Sequence, residues 1–399
     1  MVVNTFLLSV GFMTSMLSNE RVSELQLLGA VLFFGSSIAF QREAMVNGIG
    51  PYTYQACRYV VSIAGTLLFK SDLLCNSNVP SMVDVKAQSS DEQRRNLLFY
   101  GFIGGICQFS GCILQQIGLV TVSASRGGFI TGMYVVFVPV AEWFLAFLST
   151  LTCCYYCVQW CTSSESVVSA VLPTNTAITL TTWLAVVASF LGLYLLSGCW
   201  EVGYKSDEQG EGHCLGNALG VGDLLVFLGM FFWVASIMIS DVACKVCPIL
   251  DLVLLEFSMV LLLSTVAAVV LEPAMWHLPL SEIRTNWLPI VIVGLFEAAA
   301  FILGCLGQMY TSSTRAALLY SLESVVAAVT GALLLGESLT AVEMLGCLLM
   351  FGAASVSSVS GVRINVTLYC TIPHYIALYC TIPVYETTRC RSASVCSPT

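Results

Sequence analysis

Residues 287–309 read WLPIVIVGLFEAAAFILGCLGQM, an apolar run with one ionisable side chain, Glu297, near its centre. As an α-helix it rises about 34 Å, enough to cross the ~30 Å hydrocarbon layer of a bilayer. A helix apolar on every side belongs in a membrane or deep inside a large core. Nine further stretches of the same kind decide between the two: 25–45, 53–74, 97–119, 125–148, 182–199, 222–242, 249–271, 315–335 and 340–361. None shows the period-two alternation of a membrane barrel strand, so the spans are read as helices. The composition agrees. Of 399 residues, 57% are hydrophobic and only 10% charged, against about 25% charged in soluble domains. A water-soluble enzyme and a disordered chain are both excluded. A net charge of −9 leaves no electrostatic footprint for nucleic acid.

The expectation is an all-α polytopic membrane protein with ten transmembrane helices. Residues 1–24 form an N-terminal segment whose apolar run, Phe6 to Leu17, is too short to span and lacks a basic flank; a short targeting signal or an eleventh helix is the alternative. Residues 25–200 hold five helices, interrupted at 149–181 by an insertion with Cys153, Cys154, Cys157 and Cys161. A polar loop occupies 201–221, five more helices fill 222–361, and 362–399 form an irregular tail. That tail repeats Leu368-Tyr-Cys-Thr-Ile-Pro373 as Leu378-Tyr-Cys-Thr-Ile-Pro383, too few copies for a solenoid. With the N-terminus in the cytoplasm, the inner side collects ten Lys and Arg, Arg94, Arg95 and Lys245 among them. The outer side keeps five, which favours both termini inside.

Five helices per half make the halves enter the membrane from opposite sides. Phe33 to Met45 overlays Phe231 to Ala243 without a gap, and the overlay continues to Arg58-Tyr59 on Glu256-Phe257. Ser123-Ala-Ser-Arg126 opens the fourth helix as Ser312-Ser-Thr-Arg315 opens the ninth. Two inverted five-helix repeats around a midplane site are a transporter plan.

Leu114 to Pro139 resembles the third and fourth helices of EamA-type carriers of the drug/metabolite transporter superfamily. Ala316 to Ser324 and Leu335-Gly-Glu-Ser-Leu-Thr340 resemble the end of the family's second half, and Phe34-Gly35 with Pro51 and Arg58 its first two helices. The chain departs from the family at Ser324, where a proline is usual, and at the 149–181 insertion. The resemblance implies ten helices, inverted repeats, alternating access and a small organic solute as cargo, without identifying the cargo. No cofactor and no enzymatic activity are expected. Proton coupling and homodimerisation stay open.

An ionisable group at membrane depth costs at least about 2.5 kcal/mol on insertion scales, so each needs a partner or a cavity. Glu297 is the sharpest case, with Gly304 and Gln308 on its helix face. Glu323 is the second, at the centre of 315–335. Gln108 and Gln115 share a face of the third helix, and Arg58 sits between Tyr54 and Ser62. All five are expected to converge on a water-accessible cavity and bind substrate or protons. The competing reading is interhelical glue, with Arg58 and Glu256 as a static ion pair. The two glutamates are read as functional, whereas the glutamines and Arg58 fit either reading.

Other chemistry is weaker. Gly220-Val-Gly-Asp223 matches the GxGD string of intramembrane aspartyl proteases, but no Tyr-Asp dipeptide supplies the second carboxylate. Asp223 is better read as a helix cap. His213, His277 and His374 lie outside the predicted helices, which removes Ser–His catalysis. The Cys153–Cys157 cluster has no second pair or nearby His to complete a zinc site, and acylation suits it better. The sequon at Asn365 falls in a tail placed inside and is expected to be unused. No Walker A motif is present. A channel or a non-transporting scaffold is the remaining alternative to a carrier.

Overall fold

A computed structural model describes residues 19–75, 90–122, 124–159, 180–196, 220–272, 280–335 and 340–359. Among the described residues the regular structure is helical throughout. The first half contributes α1 (Asn19–Val46), α2 (Pro51–Cys75), α3 (Ser90–Gly118), α4 (Ala124–Gly132), α5 (Tyr134–Gln159) and α6 (Leu180–Leu196). The second contributes α7 (Val221–Val246), α8 (Ile249–Leu271), α9 (Leu280–Gln308), α10 (Ser313–Tyr320), α11 (Glu323–Leu335) and α12 (Ala341–Val359). The apolar run before Asn19, Cys161, nearly all of the 201–221 loop, the three histidines and the tail with its sequon lie outside the described residues.

Local chemistry explains the helix ends. Gly48 turns the chain at φ 84°, a conformation that suits glycine because it has no Cβ. Pro51 then opens α2, where its missing N–H would be unpaired anyway. Glu272, just past α8, accepts from the Tyr52 N–H at 3.0 Å and the Thr53 N–H at 2.9 Å, closing the free donors of that first turn. Asp223 accepts from the Gly220 N–H at 3.0 Å at the start of α7, the capping role the sequence suggests for it.

Two predicted helices are each broken in two. The segment 125–148 divides at Met133, whose N–H reaches back to Ile130 at 3.3 Å. The segment 315–335 divides at Ser321–Leu322, where the Leu322 N–H reaches Leu319 at 3.1 Å. These three-residue returns tighten the backbone and re-aim the next segment, a device found at functional sites. Tyr134 and Glu323 are the first residues after the two breaks. At the end of the first broken pair, α5 runs past 148 to Gln159, into the stretch expected as an insertion.

The helices interlock across the halves. α3 packs on α7 and α8, while α9 packs on α1 and α2. α2 crosses α8, and α6 pairs with α12. A midplane site shared by two inverted repeats asks for the third and fourth spans to pack beside the eighth and ninth. Only the α4–α5 and α10–α11 pairs meet in that way, because the glycine face of α3 is filled by α8. A Cβ at Gly105 would lie 2.6 Å from the Met259 Cβ, and one at Gly294 would lie 2.7 Å from the Arg58 carbonyl oxygen. Such close approach is how helices associate where no hydrophobic force separates protein from lipid.

The outer faces are apolar. Leu32, Leu67, Phe99, Phe102, Val187 and Leu262 are all at least half exposed, a surface that water tolerates poorly and lipid tails suit. Seven helical stretches among the described residues are long and apolar enough to cross a membrane, counting α4–α5 and α10–α11 as one each. α6 and α12 are shorter apolar helices.

Candidate functional site

Four of the five side chains singled out in the sequence line one central cavity. It encloses about 800 Å³, the open space at its mouth included, and Arg58, Gln115, Glu297 and Glu323 face it. Gly304 and Gln308 line it with Glu297, as their shared helix face requires. Gln108 is not at the wall. It lies fully buried behind it and donates from Nε2 to the Tyr59 hydroxyl at 2.9 Å.

The buried charge is organised around α2. Arg58 Nη1 lies 3.4 Å from Glu297 Oε2, with both side chains at most 4% exposed. The Tyr59 hydroxyl donates to the other oxygen, Oε1, at 2.8 Å. The rings of Tyr54 and Tyr59 flank the guanidinium carbon at 5.8 and 5.2 Å, within cation–π range. A charge pair out of water holds only with good geometry and added hydrogen bonds; here the carboxylate has the Tyr59 hydroxyl, while among the described residues Arg58 Nε and Nη1 have no hydrogen-bond acceptor. Arg58 is not paired with Glu256, contrary to the glue reading. Glu256 packs against Gly104 and Gly105 on α3.

Glu323 stands apart from this network, at the start of α11. The Tyr134 hydroxyl lies against its carboxyl, and the charge that bears on it is the Glu297 carboxylate. Among the described residues no Lys, Arg or His comes within ion-pair distance of it. Aromatic rings make the surrounding wall. Phe34 meets Phe301 edge-on at 5.3 Å and Tyr320 at 6.3 Å. Trp233 completes the wall from α7, and among the described residues its buried Nε1 donor has no acceptor.

The sequence reading missed Tyr59, Tyr134 and Trp233. Tyr59 had a signal in its adjacency to Arg58. Tyr134 and Trp233 sit among other apolar and aromatic residues, with no spacing that separates a cavity wall from a lipid face. Gln115 donates from Nε2 to Thr131 Oγ1 at 3.3 Å, so the amide is held between α3 and α4. Glu142 accepts from Thr314 Oγ1 at 2.5 Å and ties α5 to α10, away from the cavity. Among the described residues no three metal-ligating side chains cluster.

Comparison with known proteins fits this arrangement. Residues 220–359 match the EamA-like transporter family. An uncharacterized transporter of Archaeoglobus fulgidus is 28% identical over 261 residues, covering 65% of this chain and 68% of its own. A solved crystal structure superposes with a TM-score of 0.59 at 16% identity, over 87% of this chain and 99% of that one. That last likeness is one of fold.

Proposed function

We propose that this chain, an integral multi-pass membrane protein similar to EamA-like transporters, is a secondary carrier of that type that moves a small organic metabolite by alternating access. The observation that carries the reading is the central cavity, built from helices of both halves and holding buried charge. Intramembrane ionisable groups that face a cavity mark substrate and ion pathways. Arg58, Gln115, Glu297 and Glu323 are assigned to the binding wall. Gln108 is assigned to holding Tyr59 in place.

We read ten spans, with α4–α5 and α10–α11 counting as one each, as two inverted repeats over 25–200 and 222–361. The packing supports this. The overlay of Ser123 on Ser312, continued without a gap, carries Gln108 onto Glu297, Gly105 onto Gly294 and Tyr134 onto Glu323. Each interface then has a mate with the halves exchanged. α3 lies on α8 as α9 lies on α2, and α3 on α7 as α9 on α1. The equivalent residues Tyr59 and Phe257 meet edge-on at 5.3 Å where α2 crosses α8. Two half-molecules that exchange environments can present one cavity to either side in turn.

Purified protein in liposomes loaded with pooled metabolites tests the reading by counterflow. A carrier gives saturable uptake and exchange of at least one solute. Flux without saturation or exchange makes the protein a channel, and no flux of any solute makes it a scaffold.

A further inference from the structure

On the carrier reading, we propose that the cargo is an organic cation, an ammonium group on an apolar, ring-sized body, and that Glu323 rather than Glu297 holds its charge. Three formal charges line the cavity: Arg58, Glu297 and Glu323. Arg58 and Glu297 neutralise each other: one carboxylate oxygen faces Arg58 and the other accepts the Tyr59 hydroxyl. One negative charge remains on the wall. It is Glu323.

The groups that face Glu323 do not cancel that charge. From α5 comes the Tyr134 hydroxyl, from α10 Tyr320, and from α9 the Glu297 carboxylate. Arg58, on α2, is engaged with Glu297. α1 presents the Phe34 ring to the same wall. A buried carboxyl with no cation of the protein beside it is either neutral with a proton or paired with a cation from outside. The surfaces around it say which kind. Phe34, Tyr134, Trp233, Phe301 and Tyr320 give the cavity π faces that attract a desolvated ammonium and cover an apolar body. For an anionic cargo the wall offers one cationic group, Arg58, which is already in an ion pair with Glu297.

With no cargo present, the same carboxyl is neutralised by a proton from water. The exchange balances: the protonated carboxyl and an ammonium ion give the carboxylate–ammonium pair and release one proton to solvent. One group that holds either a proton or the cargo, and not both, couples the movement of one to the other.

The test uses full-length protein in detergent and three families of probes with matched bodies: aromatic and aliphatic amines, the corresponding alcohols, and the corresponding carboxylates, beginning with 2-phenylethylamine, 2-phenylethanol and phenylacetate. Amines are expected to raise the melting temperature saturably, alcohols and carboxylates to leave it in place, and each bound amine to release about one proton into weak buffer. Glu323→Gln should weaken the amine effect at least tenfold. Wild-type protein offers a second measure that needs no variant. A hydrophobic carbodiimide, which adds to a protonated carboxyl, should label Glu323, and the amine should block that labelling. Stabilisation by carboxylates instead of amines, amine binding that survives Glu323→Gln, or no response to any amine overturns the proposal. Counterflow of a neutral or anionic solute would leave the carrier standing while removing this assignment of its cargo.

Discussion

Arg58 on α2 and Glu297 on α9 form a buried ion pair, Nη1 to Oε2 at 3.4 Å, in which each charge stabilises the other inside the bundle. Glu256, which the overlay of the two halves makes the counterpart of Arg58, lies elsewhere. Replacing one member of the pair leaves the other charged and buried. Arg58→Met or Glu297→Gln alone should therefore cost about 3 kcal/mol or more. The double change to Met and Leu should cost clearly less than the sum, and a double-mutant cycle on melting in detergent reads the difference. Glu297→Gln should also abolish uptake in the liposome assay. Additive costs within about 0.5 kcal/mol would show that the two groups are not coupled.

Close glycine contacts hold the halves together. At Gly105 and Gly294 an added Cβ would meet Met259 and the Arg58 backbone at less than 3 Å. Gly105→Val and Gly294→Val should each lower stability by about 1–3 kcal/mol through overpacking. Gly352 is the control, since nothing lies within 4 Å of its added Cβ. Gly352→Ala should be neutral or stabilising by up to about 1 kcal/mol, from helix propensity alone. Thermal melting of all three variants provides the comparison, and equal melting points would refute the packing argument.

The α2–α8 pair is tied at both ends. Glu272 receives the Thr53 N–H and hydroxyl, and Lys70 pairs with Asp251 at the opposite end. Glu272→Ala removes acceptors from the first turn of α2 and should cost about 1 kcal/mol, as loss of a helix cap does. Lys70 and Asp251 are each about a third or more exposed, so Asp251→Ala should cost less than Glu272→Ala. Chemical denaturation separates the two, and the reverse ranking would contradict the capping role of Glu272.

Topology gives the fourth expectation. The 201–221 loop should face the non-cytoplasmic side and Cys396 the cytoplasm. In a cysteine-free background, single cysteines restored at Cys75, Cys214 and Cys396 can be probed with an impermeant thiol reagent on sealed cells. Only Cys214 should label. Labelling of Cys396 from outside would require an odd number of spans.

Some of this protein is written locally in the chain. The hydropathy of segments such as 287–309 places it in a membrane, because burial of a helix in lipid depends on the residues of that helix alone. The 100° step of a helix likewise puts Glu297, Gly304 and Gln308 on one face, and all three line the cavity. The bundle decided the rest. The sequence offered Glu256 as the partner of Arg58, whereas the bundle pairs Arg58 with Glu297. The choice came from which glycine faces close on which helices, a long-range fit that leaves no mark near Arg58. The breaks at Met133 and Ser321–Leu322 are of the same kind. Both segments read as continuous apolar helices, and only packing against each other and against α1 and α7 bends them so that Tyr134 meets Glu323. Helix register is a property of neighbours in the chain, whereas the pairing of buried charges depends on side chains brought together from hundreds of residues apart.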